Sequence, residues 1–473
     1  MKSTAHAFKR NVHVALHDER LQRALHKAGG GFIEKRRAAL DALPEFEDLR
    51  RSARAIKDHT LAHLDEYLER FEAEVAASGG QVHWAATPEQ ARRIVVELCA
   101  QAGAKRVTKG KSMVGEEIGI NEALEAGGFE AVETDLGEYI IQLAHEPPSH
   151  IIAPAIHKSR QDIAELFREH HGHHEALDSA RAIVDEARER LRAAFLSADV
   201  GITGANFLIA ETGSAIVVTN EGNGDLTATL PRTHIVLAGL EKVVPTLEDA
   251  SVLLRLLARS ATGQAFTAYT SLFTGPRRAG DGDGPETFHV VLVDNGRSEM
   301  LGNEFHDMLR CIRCGACLNH CPIYGAVGGH AYGWVYPGPM GAVLTPLMQG
   351  LGEAGDLPNA SSLCGRCEAV CPMSIPLPGL LRRLRVRQYA AGGGSKRSRW
   401  ALAAWAYLAR RPRLYRWVMG LGVGVLAALG GRRGGLRRLP GAGAWTASRD
   451  LAAPAGRTFQ AQWQRHLRGR GRG

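Results

Sequence analysis

The chain reads CIRCGACLNHCP from Cys311 to Pro322, and SSLCGRCEAVCP from Ser361 to Pro372. In the first stretch Cys311, Cys314, Cys317 and Cys321 stand in the spacing C-x2-C-x2-C-x3-C-P, which is the bacterial ferredoxin run for a [4Fe–4S] cluster. Three thiolates on one short loop wrap three corners of a cubane, and the fourth points away toward a second site. The proline after it turns the chain outward and removes an N–H. Gly315 and Ala316 are small enough to leave room for an inorganic core, and amides in such a loop can hydrogen-bond the sulfurs and tune the potential. Structural zinc is the competing reading. Zinc closes with four ligands in a tetrahedron, so two zinc sites need eight good ligands, and a C-x2-C-x2-C run crowds three thiolates.

Counted back from the final Cys-Pro, the second stretch lacks one cysteine of the first: Ser361 stands where the first has Cys311. In two-cluster ferredoxins the fourth cysteine of each motif serves the other motif's cluster. By that rule one cluster takes Cys311, Cys314, Cys317 and Cys371, and the other takes Cys364, Cys367 and Cys321. The expected cofactor is therefore two [4Fe–4S] clusters, the second with only three Cys ligands. Either Ser361 or an outside group completes that cubane, or one iron is absent and the site is [3Fe–4S]. Two clusters with crossed ligands lie close together and suit electron relay; the alternative is that they only staple the fold.

The bulk properties agree with a metalloprotein. A chain of 473 residues is too long for a single core, so two to four domains are expected. It is 45% hydrophobic and 23% charged, ordinary for a soluble globular protein. The start, MKSTAHAFKRNVHVALHDERL, has no apolar h-region and does not read as a secretory signal. Seven of the eight cysteines fall in the two tight clusters, which reads as metal sites in a reducing, cytoplasmic compartment rather than as a disulfide framework. The net charge of +8 is unevenly spread: residues 391–473 carry 17 Lys+Arg and one acid, +16, so the remainder sums to 8 − 16 = −8. Such a tail suits a membrane surface, nucleic acid or an acidic partner.

Four segments follow from patterning. Residues 1–77 read as a charged, solvated N-terminal helical arm or cap, with Leu61, Leu64, Leu68 and Phe71 at helical spacing. In 78–300, short apolar runs such as THIVLAG and TFHVVLVDN alternate with helical stretches, which predicts an α/β domain with a largely parallel sheet. Cys99 lies on one of these helices as a buried, inert thiol. Residues 301–390 carry the cysteine clusters, and AAGGGSKRS (390–398) reads as a linker to a basic helical tail, 391–473. The tail holds two apolar runs, 400–409 and 417–431, each short of the roughly 20 residues that span a bilayer. Five of the seven tryptophans, Trp400, Trp405, Trp417, Trp445 and Trp463, lie there. Tryptophan and arginine around short apolar helices fit either peripheral contact with a membrane face or packing on a subunit. Nucleic acid is not expected: the Arg-Gly end is short and no RNA-binding core accompanies it.

The order of these parts resembles the lactate utilization iron–sulfur protein B family. The resemblance is densest over CIRCGACLNHCPIYGAVGGHAYGWVYPGPMGAVLTP and SSLCGRCEAVCP, and again over ADVGITGANFLIAETGSAIVVTNEGNGDL (198–226), which looks like the core of a lactate-utilization (LUD) domain. It implies a fold related to the sugar-phosphate isomerase and CoA-transferase superfamily, a ferredoxin-type domain, and an iron–sulfur subunit of a cytoplasmic complex oxidising L-lactate to pyruvate. The implied partners are a second iron–sulfur protein with cysteine-rich repeats and a small LUD protein. The family's cluster ligands carry over onto the seven cysteines named above, and its second motif also begins with serine. A different class remains open: a LUD-domain transferase or isomerase-like enzyme with structural clusters. Glu211 and the loop TNEGNGD (219–225) match active-site loops of the related transferases, where Gly222 and Gly224 would let amides approach an anion, or simply form a turn between strands. His157 and Lys158 are similarly placed. No G-x-G-x-x-G follows a predicted strand, so no Rossmann dinucleotide site is expected.

Overall fold

The computed structural model describes residues 3–172, 177–439, 443–446 and 449–470; the last three residues of the Arg-Gly end lie outside them. The chain divides into two units, Met1–Ala390 and Ala391–Gly473. In the first, β1 (Gln81–Ala85), β2 (Arg106–Lys109), β3 (Glu130–Glu133), β4 (Val200–Gly204), β7 (Thr233–Gly239) and β10 (Thr287–Val293) form one sheet in the order β1-β10-β7-β4-β2-β3. Every pairing in it is parallel. A second sheet, β8-β5-β6-β9, is built from β5 (Phe207–Ile209), β6 (Ser214–Thr219), β8 (Val243–Val244) and β9 (Tyr269–Phe273).

The central strands are nearly all apolar because both faces are covered, as parallel sheets require. Along β7 and β10 the side chains alternate between two cores. Ile235, Leu237, Val291 and Val293 pack with Ala91, Val95, Leu98 and Cys99 of the helix Pro88–Gln101. Val236, Ala238, Val290 and Leu292 face the other way, into the larger core. Cys99 is fully buried, and burial pushes its thiol up to about 12, so it is inert.

The N-terminal helices are α1 (Phe8–His17), α2 (Glu19–Asp41), α3 (Phe46–Ala62) and α4 (Leu64–Ala77). They are not a solvated arm. Phe46, Leu49, Leu61, Leu68 and Phe71 share the larger core with Val290, Tyr332, Trp334, Leu377 and Leu380. The polar side chains of these helices also reach inward. Lys57 is buried, and its Nζ donates to the carbonyls of Glu241 (2.5 Å) and Val243 (3.2 Å). Arg36 Nη2 donates to Val370 O at 2.9 Å, and Arg50 Nε to Cys371 O at 2.8 Å. A sequence scan counts these as surface charges because it cannot see the carbonyls that receive them.

A buried ionic network ties the sheet to the cysteine segment. Arg297, 2% exposed, grips Glu117 through both terminal nitrogens at 2.8 Å and donates from Nε to Glu241 at 2.6 Å. Tyr336 OH and Asn295 Nδ2 donate to Glu117 at 2.5 and 2.7 Å. Arg313 donates to the other oxygen of Glu241 at 3.3 Å and lies over the Tyr336 ring. Gly239 is required beside it: a Cβ there would stand 2.2 Å from Glu241 Oε2 and 2.4 Å from Arg297 Nε.

In the second unit the helices Lys396–Ala409 and Pro412–Gly430 hold the two apolar runs. Trp400, Trp405 and Trp417 on them are exposed. Among the described residues no helix is long and apolar enough to cross a membrane.

Removing one partner of a fully buried ion pair strands the other charge and costs about 3–5 kcal/mol. Glu117→Ala should therefore lower the urea midpoint by that equivalent. Arg51→Ala, whose pair with Asp48 is exposed on both sides, should leave the midpoint where it was, since surface pairs contribute little.

Candidate functional site

The two cysteine loops repeat one backbone conformation. Arg313 (φ 58°) and Leu363 (φ 55°) stand one residue before the second cysteine of the first motif and the equivalent Cys364. Gly315 (φ 74°) and Gly365 (φ 82°) stand one residue after it. Left-handed φ at a non-glycine residue is costly and concentrates at ligand clamps. Alternation of this kind turns successive amides toward one point, a concavity suited to an anionic centre. Each loop then makes a single helical turn, Ala316–Asn319 and Arg366–Ala369. At the ends, Cys321 Sγ accepts the Tyr324 amide and Cys371 Sγ accepts the Ile375 amide, both at 3.5 Å.

The structure brings Cys311, Cys314, Cys317 and Cys371 around one small apolar cavity, closed by Met308, Met340 and Leu377. Cys371 thus comes from the second motif to the first loop. Burial, and next the Cys371 thiol, push Cys314 up to about 12; burial raises Cys371 to about 11, with Cys311 adding to it. Cys321, Cys364 and Cys367 form the other group. Burial and then Cys321 push Cys367 up to about 12, while Cys364, exposed, is held below the usual thiol range by the Arg366 amide. Thiols packed so that each opposes the others' ionisation need an added positive charge to become thiolates. Iron supplies it, so this all-sulfur, apolar donor set fits an iron–sulfur group. Arg36, whose buried Nε has no hydrogen-bond partner among the described residues, lies among these thiols.

Ser361 is half-buried, and its Oγ accepts the Leu363 amide at 3.1 Å. Arg385 Nη2 donates to its carbonyl at 3.1 Å. The serine thus holds the left-handed turn at Leu363 in the loop that carries Cys364.

A second cavity, of about 250 Å³, lies beside the first cysteine loop. It sits at the C-terminal ends of β2, β4 and β7, where open parallel sheets bind ligands. Lys111 follows β2, Lys242 follows β7, and Asn223 and Thr219 come from the 219–225 loop. Arg313 enters from between Cys311 and Cys314. Lys242 is 8% exposed, and burial lowers its amine to about 8. The loop read as an anion contact therefore does line a cavity. Its glycines act locally: Gly222 (φ 74°) makes the turn, and Gly224 packs on Thr219 and Val217.

Three expected residues lie elsewhere. Glu211 is exposed in the turn between β5 and β6, with its amide bonded to Pro245 O. His157 Nε2 pairs with Glu146 at 2.6 Å, and Lys158 pairs with the same carboxylate. They hold Glu146 at about 2, the His157 hydrogen bond contributing most. Asn223 belongs to the 219–225 loop already marked in the sequence, whereas no motif singles out Lys242, Arg313 or Lys111.

The LUD domain family matches residues 68–293, and the 4Fe-4S dicluster domain family matches residues 307–375. The Escherichia coli (strain K12) "Uncharacterized electron transport protein YkgF" is 44% identical over 468 residues, covering 98% of each chain. "Lactate utilization protein B" of Shouchella clausii is 48% identical over 379 residues, covering 80% of each, and that of Geobacillus sp. (strain WCH70) is 44% identical over 475 residues, covering 99% of each. A solved DUF162 family protein from Deinococcus radiodurans covers 49% of this chain and 98% of its own at 14% identity, with a TM-score of 0.27, too low to bear on the fold. With an α/β LUD domain followed by two repeated cysteine loops on a helical segment, and relatives of this identity over nearly its whole length, the chain belongs to the lactate utilization protein B family of iron–sulfur proteins.

Proposed function

We propose that this chain is the iron–sulfur electron-transfer subunit of a complex that oxidises L-lactate to pyruvate. The observation that carries it is the pairing of two like cysteine loops, one lining an apolar cavity and the other exposing Cys364, in a chain whose relatives are named for lactate utilization and electron transport. Cys311, Cys314, Cys317 and Cys371 would hold one [4Fe–4S] cluster, and Cys321, Cys364 and Cys367 a second, either [4Fe–4S] with a fourth ligand other than cysteine or [3Fe–4S]. Such groups supply one-electron chemistry when bound. The residues of the chain do the rest. Met308, Met340 and Leu377 exclude water from the first site. Arg36 and Arg50 place positive charge beside it. Exposed Cys364 opens the second site to an electron partner. The partners proposed are a cysteine-rich-repeat iron–sulfur protein and a small LUD protein, in the cytoplasm. The exposed tryptophans of the basic tail would meet a membrane face or one of those subunits.

A second reading draws on the cavity beside β2, β4 and β7. If the LUD domain keeps the chemistry of the isomerase and CoA-transferase superfamily, the clusters are structural and the cavity turns over an acyl-CoA or sugar phosphate.

Iron and acid-labile sulfide on the anaerobically purified chain, with EPR, should show two reducible clusters that L-lactate reduces once the partner subunits are present. Clusters that stay silent with lactate and partners would overturn the electron-transfer reading, and turnover of acyl-CoA or sugar phosphate by the full chain would replace it. Ser361→Cys should leave a [4Fe–4S] spectrum little changed but convert a [3Fe–4S] signal with a gain of iron. Deleting residues 391–473 should abolish binding to anionic vesicles while leaving the cysteine loops loaded; if vesicle binding persists, the tail is not the contact.

A further inference from the structure

We propose that the cavity at the ends of β2, β4 and β7 binds a small 2-hydroxy- or 2-oxocarboxylate, and that Arg313 couples its occupancy to the first cysteine loop. The choice of acid rests on the lactate reading above; the anionic character of the ligand rests on the cavity itself.

The wall carries Lys111, Lys242 and Arg313 against Asp135, Glu221 and Glu241, but the buried charges around it do not balance. Glu117 and Glu241 are taken up by Arg297 and Arg313. That leaves Lys242 as an additional buried cation; Lys111 lines the same cavity, its Nζ donating to Ile152 O at 2.6 Å. Of the acids that line the cavity, Asp135 caps the helix Leu136–Leu143 through its carboxylate, and Glu221 is exposed. A buried excess of positive charge is expensive without a counter-ion.

The polar atoms of the wall are also unfinished. Among the described residues, buried Arg313 Nη1, Asn223 Oδ1 and Thr219 Oγ1 have no hydrogen-bond partner. The Arg313 side chain is 9% exposed and Asn223 7% exposed. Unpaired buried groups of this kind are rare and call for a partner. A carboxylate would accept from Arg313 and Lys242. A hydroxyl on the next carbon could donate to Asn223 Oδ1, and a keto oxygen could accept from the same side-chain amide turned over. The volume, about 250 Å³, is below the roughly 300–1,000 Å³ of drug-sized pockets, which suits an acid of a few carbons.

Arg313 makes the link. Its backbone is the left-handed residue between Cys311 and Cys314, while its guanidinium stands in the cavity wall on Glu241 and Tyr336. An anion bound to that guanidinium changes the charge and hydrogen bonding next to the first cluster loop, and such neighbours tune cluster potential.

The test is calorimetric titration of the anaerobic, iron-loaded full chain with L-lactate, pyruvate and inorganic phosphate, with EPR on the same samples. One saturable site for lactate or pyruvate is expected, with a shifted spectrum of the buried cluster. Lys242→Gln and Asn223→Ala, neither of them a residue of the cysteine loops, should weaken binding roughly 10- to 100-fold, the range for a lost charge-assisted hydrogen bond, at unchanged iron content. Arg313→Lys should bind the acid but lose the spectral shift. Absence of saturable acid binding, equal binding by Lys242→Gln, or a site that takes phosphate and neither acid overturns the proposal. None of these touches the electron-transfer reading, which is scored separately by cluster reduction in the assembled complex.

Discussion

The buried guanidinium of Arg297 is the constraint on which the rest of the molecule depends. It lies just past the end of β10 and holds two carboxylates that come from distant parts of the chain, Glu117 and Glu241. Glu117 also receives Tyr336, and Glu241 receives Arg313, so the same ions fix the cysteine segment to the strand ends. Ions this deep are stable only when they are paired, and Arg297 is paired on both sides. The network therefore dictates the distance between the sheet and the first cysteine loop, and so places a cavity against that loop.

The cysteine loops depend on a second kind of constraint, backbone conformation. Arg313 and Leu363 both adopt a left-handed φ, which a non-glycine residue holds only when its surroundings compel it. The network does so for Arg313 by engaging its side chain. For Leu363, the Ser361 hydroxyl does so by accepting its amide. This gives Ser361 a structural reason at the position where the first motif has a cysteine. The N-terminal helices clamp the second loop separately, through arginines that reach the carbonyls of Val370 and Cys371.

The cysteine sites were the most legible part of the sequence because their chemistry is local. Cys311, Cys314 and Cys317 are ordered by a spacing of a few residues, and the crossing of Cys371 into the first group follows from a rule about paired motifs. The alternation of strands and helices was legible for the same reason: it is a periodic pattern along the chain. The N-terminal segment reads correctly as helical, but not as solvated, because Arg36, Arg50 and Lys57 look like solvent-facing charges until the carbonyls they meet are known. The cavity was half legible. The loop around Asn223 was singled out, but Lys111, Lys242 and Arg313 come from three other segments, and no short pattern unites them. Glu211 was offered by its loop and placed by the fold on the outer surface.

The sequence by itself determined the metal chemistry, the α/β character of the central region and the separate charge of the tail, because ligand spacing, hydrophobic period and net charge are properties of neighbouring residues. The tertiary structure alone decided what stands against what. Strand order brought the ends of β2, β4 and β7 together, buried ion pairing set the first cysteine loop beside them, and helix packing turned charged side chains inward. Those contacts join residues far apart in the chain, and their energy comes from burial and charge compensation that exist only once the chain has folded.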